Sequence, residues 1–314
     1  MYQITESLLA NKKQYCIKHI ATGNYLSVIA DYGGAVNQFV VNGKQILLGA
    51  SNDTEFAQTI QKAFAGAQLF PFVNRINNGN YTINSKTYYL PQNDDAVFTH
   101  SLHGLVYDQP FSVVEIDEIT GRLVLEYILK ASEYSYPYEM QLQVTYTMEI
   151  NSFRIDTIIK NLSNSPVPFA YGWHPYIAVS GMIDDCKLQL PSTKYFLTDN
   201  RLIPTGETKE LKDFIEMSTI GSIDLNQCFE MPFNQKENTT MIVDTDGNRI
   251  KLTQYGFCYT QYYIPENRKS IAIEPQTSIP DAFNNGIGLN WLLPNETKSV
   301  GLVVSYELLI MRDE

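Results

Sequence analysis

LQVTYTMEI at 142–150 and FRIDTIIKN at 153–161 decide the fold class. Apolar and polar residues alternate along both stretches, the period of a strand with one buried face, and Asn151-Ser152 between them supplies a turn. The whole reads as a β-hairpin. Working outward, the same period recurs at 122–129 (RLVLEYIL), 256–264 (GFCYTQYYI) and 300–310 (VGLVVSYELLI). Two more hairpins are signalled by Asn42-Gly43 within VVNGKQI and by Asp246-Gly247 within MIVDTDGNRIKL, dipeptides suited to the positive φ of tight strand turns. Helix signals are sparse. One helix is predicted over 53–65, capped by Asp53 and ended by Gly66, while 209–217 reads equally as a short helix or an irregular loop. The pattern predicts a large antiparallel sandwich with long loops, in one domain spanning 1–314. Alternating helices and parallel strands are absent, as are the glycine-rich nucleotide loops of doubly wound folds.

Bulk composition narrows the function. Lys and Arg total 23 against 34 acidic residues, a formal net charge of -11, and no basic run offsets it. Nucleic acid and anionic membrane surfaces, which need concentrated positive charge, are therefore not expected partners. The 21 Tyr and 15 Phe suit half-buried strands, and also the apolar faces of sugars. Cys16, Cys186, Cys228 and Cys258 are widely spaced, which fits free thiols and a cytoplasmic protein. The start, MYQITESLLANKKQYC, lacks the layout of a secretory signal. No run of 18 apolar residues marks a spanning helix.

Four histidines occur, at His19, His100, His103 and His174. Two lie in THSLHG (99–104) and one in YGWHPY (171–176), settings unlike a plain core strand. His100 and His103 have a spacing that zinc could use, yet neither HExxH nor a thiol cluster completes a ligand set, so no metal is expected. Glu274 follows an apolar run in IAIEPQTSIPDAFNNG (271–286), where a strand and Pro275 could hold a partly desolvated carboxylate as a general base; the competing reading is a solvated edge residue. Asp281 is read as a cap of the following turn. In FPFVNRINNG (70–79), Arg75 sits among Asn74, Asn77 and Asn78, amides able to bind hydroxyls directionally. Asn78-Gly79 in the same stretch is also a hairpin signal.

Taken in order, these segments resemble the aldose 1-epimerase family, the galactose mutarotase-like proteins, from near residue 20 to the C-terminus. GNYLSVIADYGGAVNQFVVNGKQILLG resembles its first hairpins, FVNRINNGNYTINSKTYYL its Asn-Arg-Ile segment, SLHG and GWHPY its two histidine motifs, IEPQTSIPDAFN its glutamate segment, and WLLPNETKSV its closing stretch. The resemblance implies an all-β, single-domain β-supersandwich that interconverts the α and β anomers of a free sugar in an open cleft. It implies Glu274 as general base, His174 as general acid, Arg75 and His103 as substrate-positioning groups, and Asp224 in GSIDLNQCF as the carboxylate on sugar hydroxyls. Asn74 is added as a substrate-binding amide, and His100 as a supporting residue without a family role. Three departures stand out: Leu105 and Asn295 at positions where glycine is common, and Trp173 where smaller or polar residues are common. Trp173 is expected to narrow the cleft or offer it a stacking face.

Such a reaction needs proton transfer at two oxygens and neither redox cofactor nor metal. The expected partner is a monosaccharide, and a weak homodimer is left open. Alternatives are a hexose-6-phosphate 1-epimerase, disfavoured by the few convergent cations; a glycoside hydrolase using Glu274 and Asp224; and a non-catalytic carbohydrate-binding protein, which would not need to keep both Glu274 and His174.

Overall fold

The computed structural model describes residues 1–94 and 97–308. The 142–161 hairpin forms as Met140–Met148 and Ser152–Asn161 in antiparallel register, Met148 opposite Phe153. Burial alternates along both strands: Leu142, Val144, Tyr146, Phe153, Ile155 and Ile159 point inward. The turn lies one residue earlier than read, because Glu149 N–H donates to Ser152 O and leaves Ile150 and Asn151 at the tip. This hairpin is central in a nine-stranded sheet that includes Arg122–Leu129, Asn248–Tyr255 and Thr297–Leu308. The last of these was predicted over 300–310, and residues 309–310 lie outside the described residues.

A five-stranded N-terminal sheet contains the Asn42-Gly43 turn, with φ of 52° and 75°, the pair of positive values that a two-residue hairpin loop requires. An eight-stranded sheet carries Lys194–Thr198, Asn226–Glu230, Tyr259–Tyr263, Ser270–Gln276, Gly172–His174 and Ala67–Leu69. One apolar cluster draws side chains from all three sheets. Phe39 meets Phe153 edge-on at 4.9 Å, and Phe153 meets Trp173 at 5.9 Å, so one ring from each sheet joins a single line. Among the described residues, no helix is long and apolar enough to cross a membrane.

Some local expectations are corrected. The predicted helix over 53–65 is one α-helical turn, Asp53–Glu55, followed by a π-helical segment, Phe56–Gln61. Its cap is Asn52, whose Oδ1 accepts Glu55 N–H at 3.0 Å, while Asp53 Oδ1 accepts from Ala10 N–H. Residues 209–217 form no helix: Pro204–Glu210 is a strand and the rest is irregular. Asn78-Gly79 makes a corner rather than a hairpin, since Arg75–Ile76 pairs with Ser101–Leu102 whereas Asn80–Ile83 pairs with Lys86–Tyr89. Asn295 adopts φ 63°, which explains how it stands in for glycine: asparagine tolerates the left-handed region better than most residues.

Candidate active site

Three strand ends and one loop corner converge on a cleft of about 780 Å³. His174 ends Gly172–His174, whose register sets it opposite Ala67. Glu274 lies in Ser270–Gln276, opposite Gln261 of the neighbouring strand. Arg75 and His103 come from the short ladder in which Leu102 faces Arg75, and His103 N–H donates to Asn74 O at 3.0 Å. Glu274, His174, His103, Arg75 and Asn74 all line the cleft.

Glu274 is 2% exposed and His174 4%, with 3.5 Å between His174 Nε2 and Glu274 Oε1. Gln276, two residues on and therefore on the same strand face, donates from Nε2 to Glu274 Oε2 at 3.1 Å. Burial pushes the Glu274 carboxyl up to about 8, against the opposing pull of the Gln276 hydrogen bond and the Arg75 charge. Burial lowers His174 to about 4. His103 is held well below the ordinary histidine value by burial first, then by His174 and Arg75. Near neutrality this acid–base pair thus holds one proton, and both histidines are uncharged.

Arg75 is aimed by Asp94, whose Oδ2 accepts from Nε at 2.8 Å. His100 stands outside the cleft and supports the corner: its Nδ1 accepts Asn78 N–H, so its Nε2 carries the proton facing Arg201 O at 3.2 Å. Asp281 braces the same corner by accepting Asn77 N–H and donating its own N–H to Arg75 O; its side chain does not cap the short helix Ala282–Asn285 that follows.

Two expected site residues are not brought in. Asp224 has a side chain 93% exposed and paired with Arg268 at 2.7 Å, outside the cleft lining. Trp173 is fully buried, its indole N–H donating to Gly66 O. It packs against Phe153 and neither narrows the cleft nor offers it a face. Strand alternation accounts for this, because a residue adjacent to His174 must point to the opposite side. The sequence reading missed Asn226 and Gln261, which line the cleft with Gln261 Nε2 donating to Asn226 Oδ1 at 3.1 Å. Gln261 carried a usable signal as a lone amide within the aromatic run CYTQYY. Asp94 carried none, since its partner is fixed only by the fold.

His103, His174 and Glu274 offer three potential metal-ligand atoms within 4.8 Å of one another. A metal-bound imidazole is normally oriented by a hydrogen bond on its other nitrogen. Here Nδ1 of both histidines is buried without a partner, so the set does not fit a resident metal centre.

The aldose 1-epimerase family profile matches residues 15–305, and the chain belongs to this family. It is 24% identical over 277 residues to the uncharacterised protein YihR of Escherichia coli, with 86% of each chain covered. To human galactose mutarotase it is 25% identical over 190 residues, covering 57% of this chain and about half, 53%, of the relative. A galactose mutarotase-like protein from Clostridium acetobutylicum superposes with a TM-score of 0.82 at 23% identity, covering 98% of this chain and 99% of the other. The fold is therefore the β-supersandwich that the resemblance implied, and family membership supports an epimerase or mutarotase activity.

Proposed function

We propose that the protein is an aldose 1-epimerase acting on a free monosaccharide, with residues 1–314 as one domain. The observation that carries this reading is the buried Glu274–His174 pair, 3.5 Å apart and open to a cleft. Ring opening breaks the bond between the anomeric carbon and the ring oxygen. The step runs from the arrangement in which the pair's single proton has passed from Glu274 to His174: the Glu274 carboxylate accepts the proton of the anomeric hydroxyl as the carbonyl forms, and His174 gives its proton to the ring oxygen. Rotation about C1–C2 and the reverse transfers close the ring on the other face. One proton shared by the pair suffices, and each full cycle restores it. Arg75, His103 and Asn74 position the sugar. The amide pair Asn226–Gln261 takes the hydroxyl-binding place first expected of Asp224, since both line the cleft and amides donate and accept. With Asp224 turned to Arg268, the Glu274–Asp224 pair considered for hydrolysis is not formed.

The test is NMR magnetisation exchange between α and β anomers over a panel of free and 6-phosphorylated sugars. We expect acceleration for free sugars and a loss of about 10²-fold or more in Glu274→Gln. Undiminished exchange in that variant would remove Glu274 from the mechanism.

A further inference from the structure

A histidine in an active site is ordinarily held by a hydrogen bond on the ring nitrogen that faces away from the chemistry. His103 has none: its Nδ1 is buried and unpartnered. Its backbone is well fixed, by the hydrogen bond to Asn74 O and by Leu102, whose N–H and C=O both engage the Asn93 amide. What stops the ring from turning must therefore be packing. The His174 ring meets it edge-on at 4.9 Å. Phe64 also packs against it, with centroids 4.8 Å apart.

Phe64 is itself unusual. It has φ 56°, a left-handed conformation that bulky residues rarely adopt and that clusters at functional sites. It follows the π-helical segment, and its turn is tied to the site because Gly66 N–H donates to His174 O at 2.7 Å. Behind Phe64 stands Tyr107 at 5.0 Å. The Tyr107 hydroxyl accepts from the same Asn93 side chain that grips Leu102. Phe64, which also lines the cleft, is thus packed against both the His103 ring and a tyrosine tied through Asn93 to Leu102, the residue before His103.

We propose that Phe64 is a positioning residue that fixes the His103 imidazole by packing and acts on the reaction through it. This rests on the reading of His103 as a substrate-positioning group. With Phe64→Leu, kcat/KM should fall roughly 10- to 100-fold, the range a misplaced positioning group produces, while Phe64→Tyr stays near the original. In a His103→Asn background, Phe64→Leu should add less than about a two-fold further loss, because its target is already gone. Independently of turnover, 15N-histidine NMR should show the His103 ring signals, assigned with His103→Asn, broadened or shifted in Phe64→Leu and retained in Phe64→Tyr. Phe64→Met replaces the leucine variant if that one does not fold. Unchanged His103 signals, or an equal loss in both backgrounds, would overturn the proposal. If the original protein shows no exchange with any sugar, the function reading fails and the ring signals alone decide this inference.

Discussion

Burial acts in opposite directions on the two groups that face each other across 3.5 Å, raising Glu274 to about 8 and lowering His174 to about 4. Between these limits the pair carries one proton. Whether that proton sits on the carboxylate or the imidazole does not change with pH, since both arrangements hold the same number. Exchange at low sugar concentration should therefore follow a bell, falling as pH drops towards about 4 and as it rises beyond about 8. A flat profile from pH 4 to 9 would dissociate the pair from the rate-determining step. The same shift predicts a stability effect. The Glu274 carboxyl has an ordinary value of 4.5 and a raised folded value of about 8, so between them the folded state keeps a proton that the unfolded state has released. Stability from this group is complete below 4.5 and lost as pH rises through the folded value. Glu274→Gln, which cannot ionise, should melt higher relative to the original protein at pH 8.5 than at pH 5. A constant difference across that range would contradict the buried, raised carboxyl.

At the scale of the element, the segment leading from Phe56–Gln61 into Ala67–Leu69 connects the N-terminal sheet to the site. Gly66 is its pivot: φ is 74°, and a Cβ there would stand 1.9 Å from Val36 O. Its N–H and C=O serve His174 O and the Trp173 indole. Gly66→Ala would cost the ~1–2 kcal/mol of a left-handed L-residue plus the displacement of backbone, so we expect a loss above about 2 kcal/mol in urea unfolding, with weakened exchange. A variant as stable as the original would mean that the segment moves freely. Gly66 was legible from sequence as a helix end, but its partners were not, because Val36, Trp173 and His174 lie 30, 107 and 108 positions away. The same limit explains the site. Glu274, His174, His103 and Arg75 each sit in a recognisable local motif. Asn226 was passed over for Asp224 because in DLN only the strand pairing of Asn226 with Tyr263 fixes which side chain reaches the cleft. Trp173 was misjudged although period-2 alternation, already in use for the hairpins, sets it opposite His174.

Over the whole molecule, the 142–161 and Asn42-Gly43 hairpins could be read because each is specified by adjacent residues, whereas the corner at Asn78-Gly79 and the joining of sheets, set by distant strands, could not. Behind the site a buried polar chain links them. Thr157 and Tyr146 belong to the nine-stranded sheet, Gln68 to the eight-stranded one, and Gly34 to the approach of the N-terminal sheet. Tyr171 donates to Gln68 Oε1 at 2.5 Å, Gln68 Nε2 donates to the Tyr146 oxygen at 3.1 Å, and the Tyr146 hydroxyl donates to Gly34 O. With its proton committed to Gln68, Tyr171 must accept from Thr157 Oγ1 at 2.8 Å. Gln68 is the hinge of this chain, fully buried and opposite Trp173 in register. Gln68→Leu keeps the volume nearly constant but removes an acceptor, so that one hydroxyl proton of the Tyr171–Thr157 pair is left unpaired, at a cost of ~1–3 kcal/mol. Urea unfolding should move its midpoint down with an unchanged slope, since the surface exposed on unfolding is the same. The folded variant should exchange anomers at close to the original rate, because Gln68 does not line the cleft. Stability equal to the original would mean that apolar packing alone joins the sheets, and a collapse of exchange at full stability would move Gln68 into the machinery of the site.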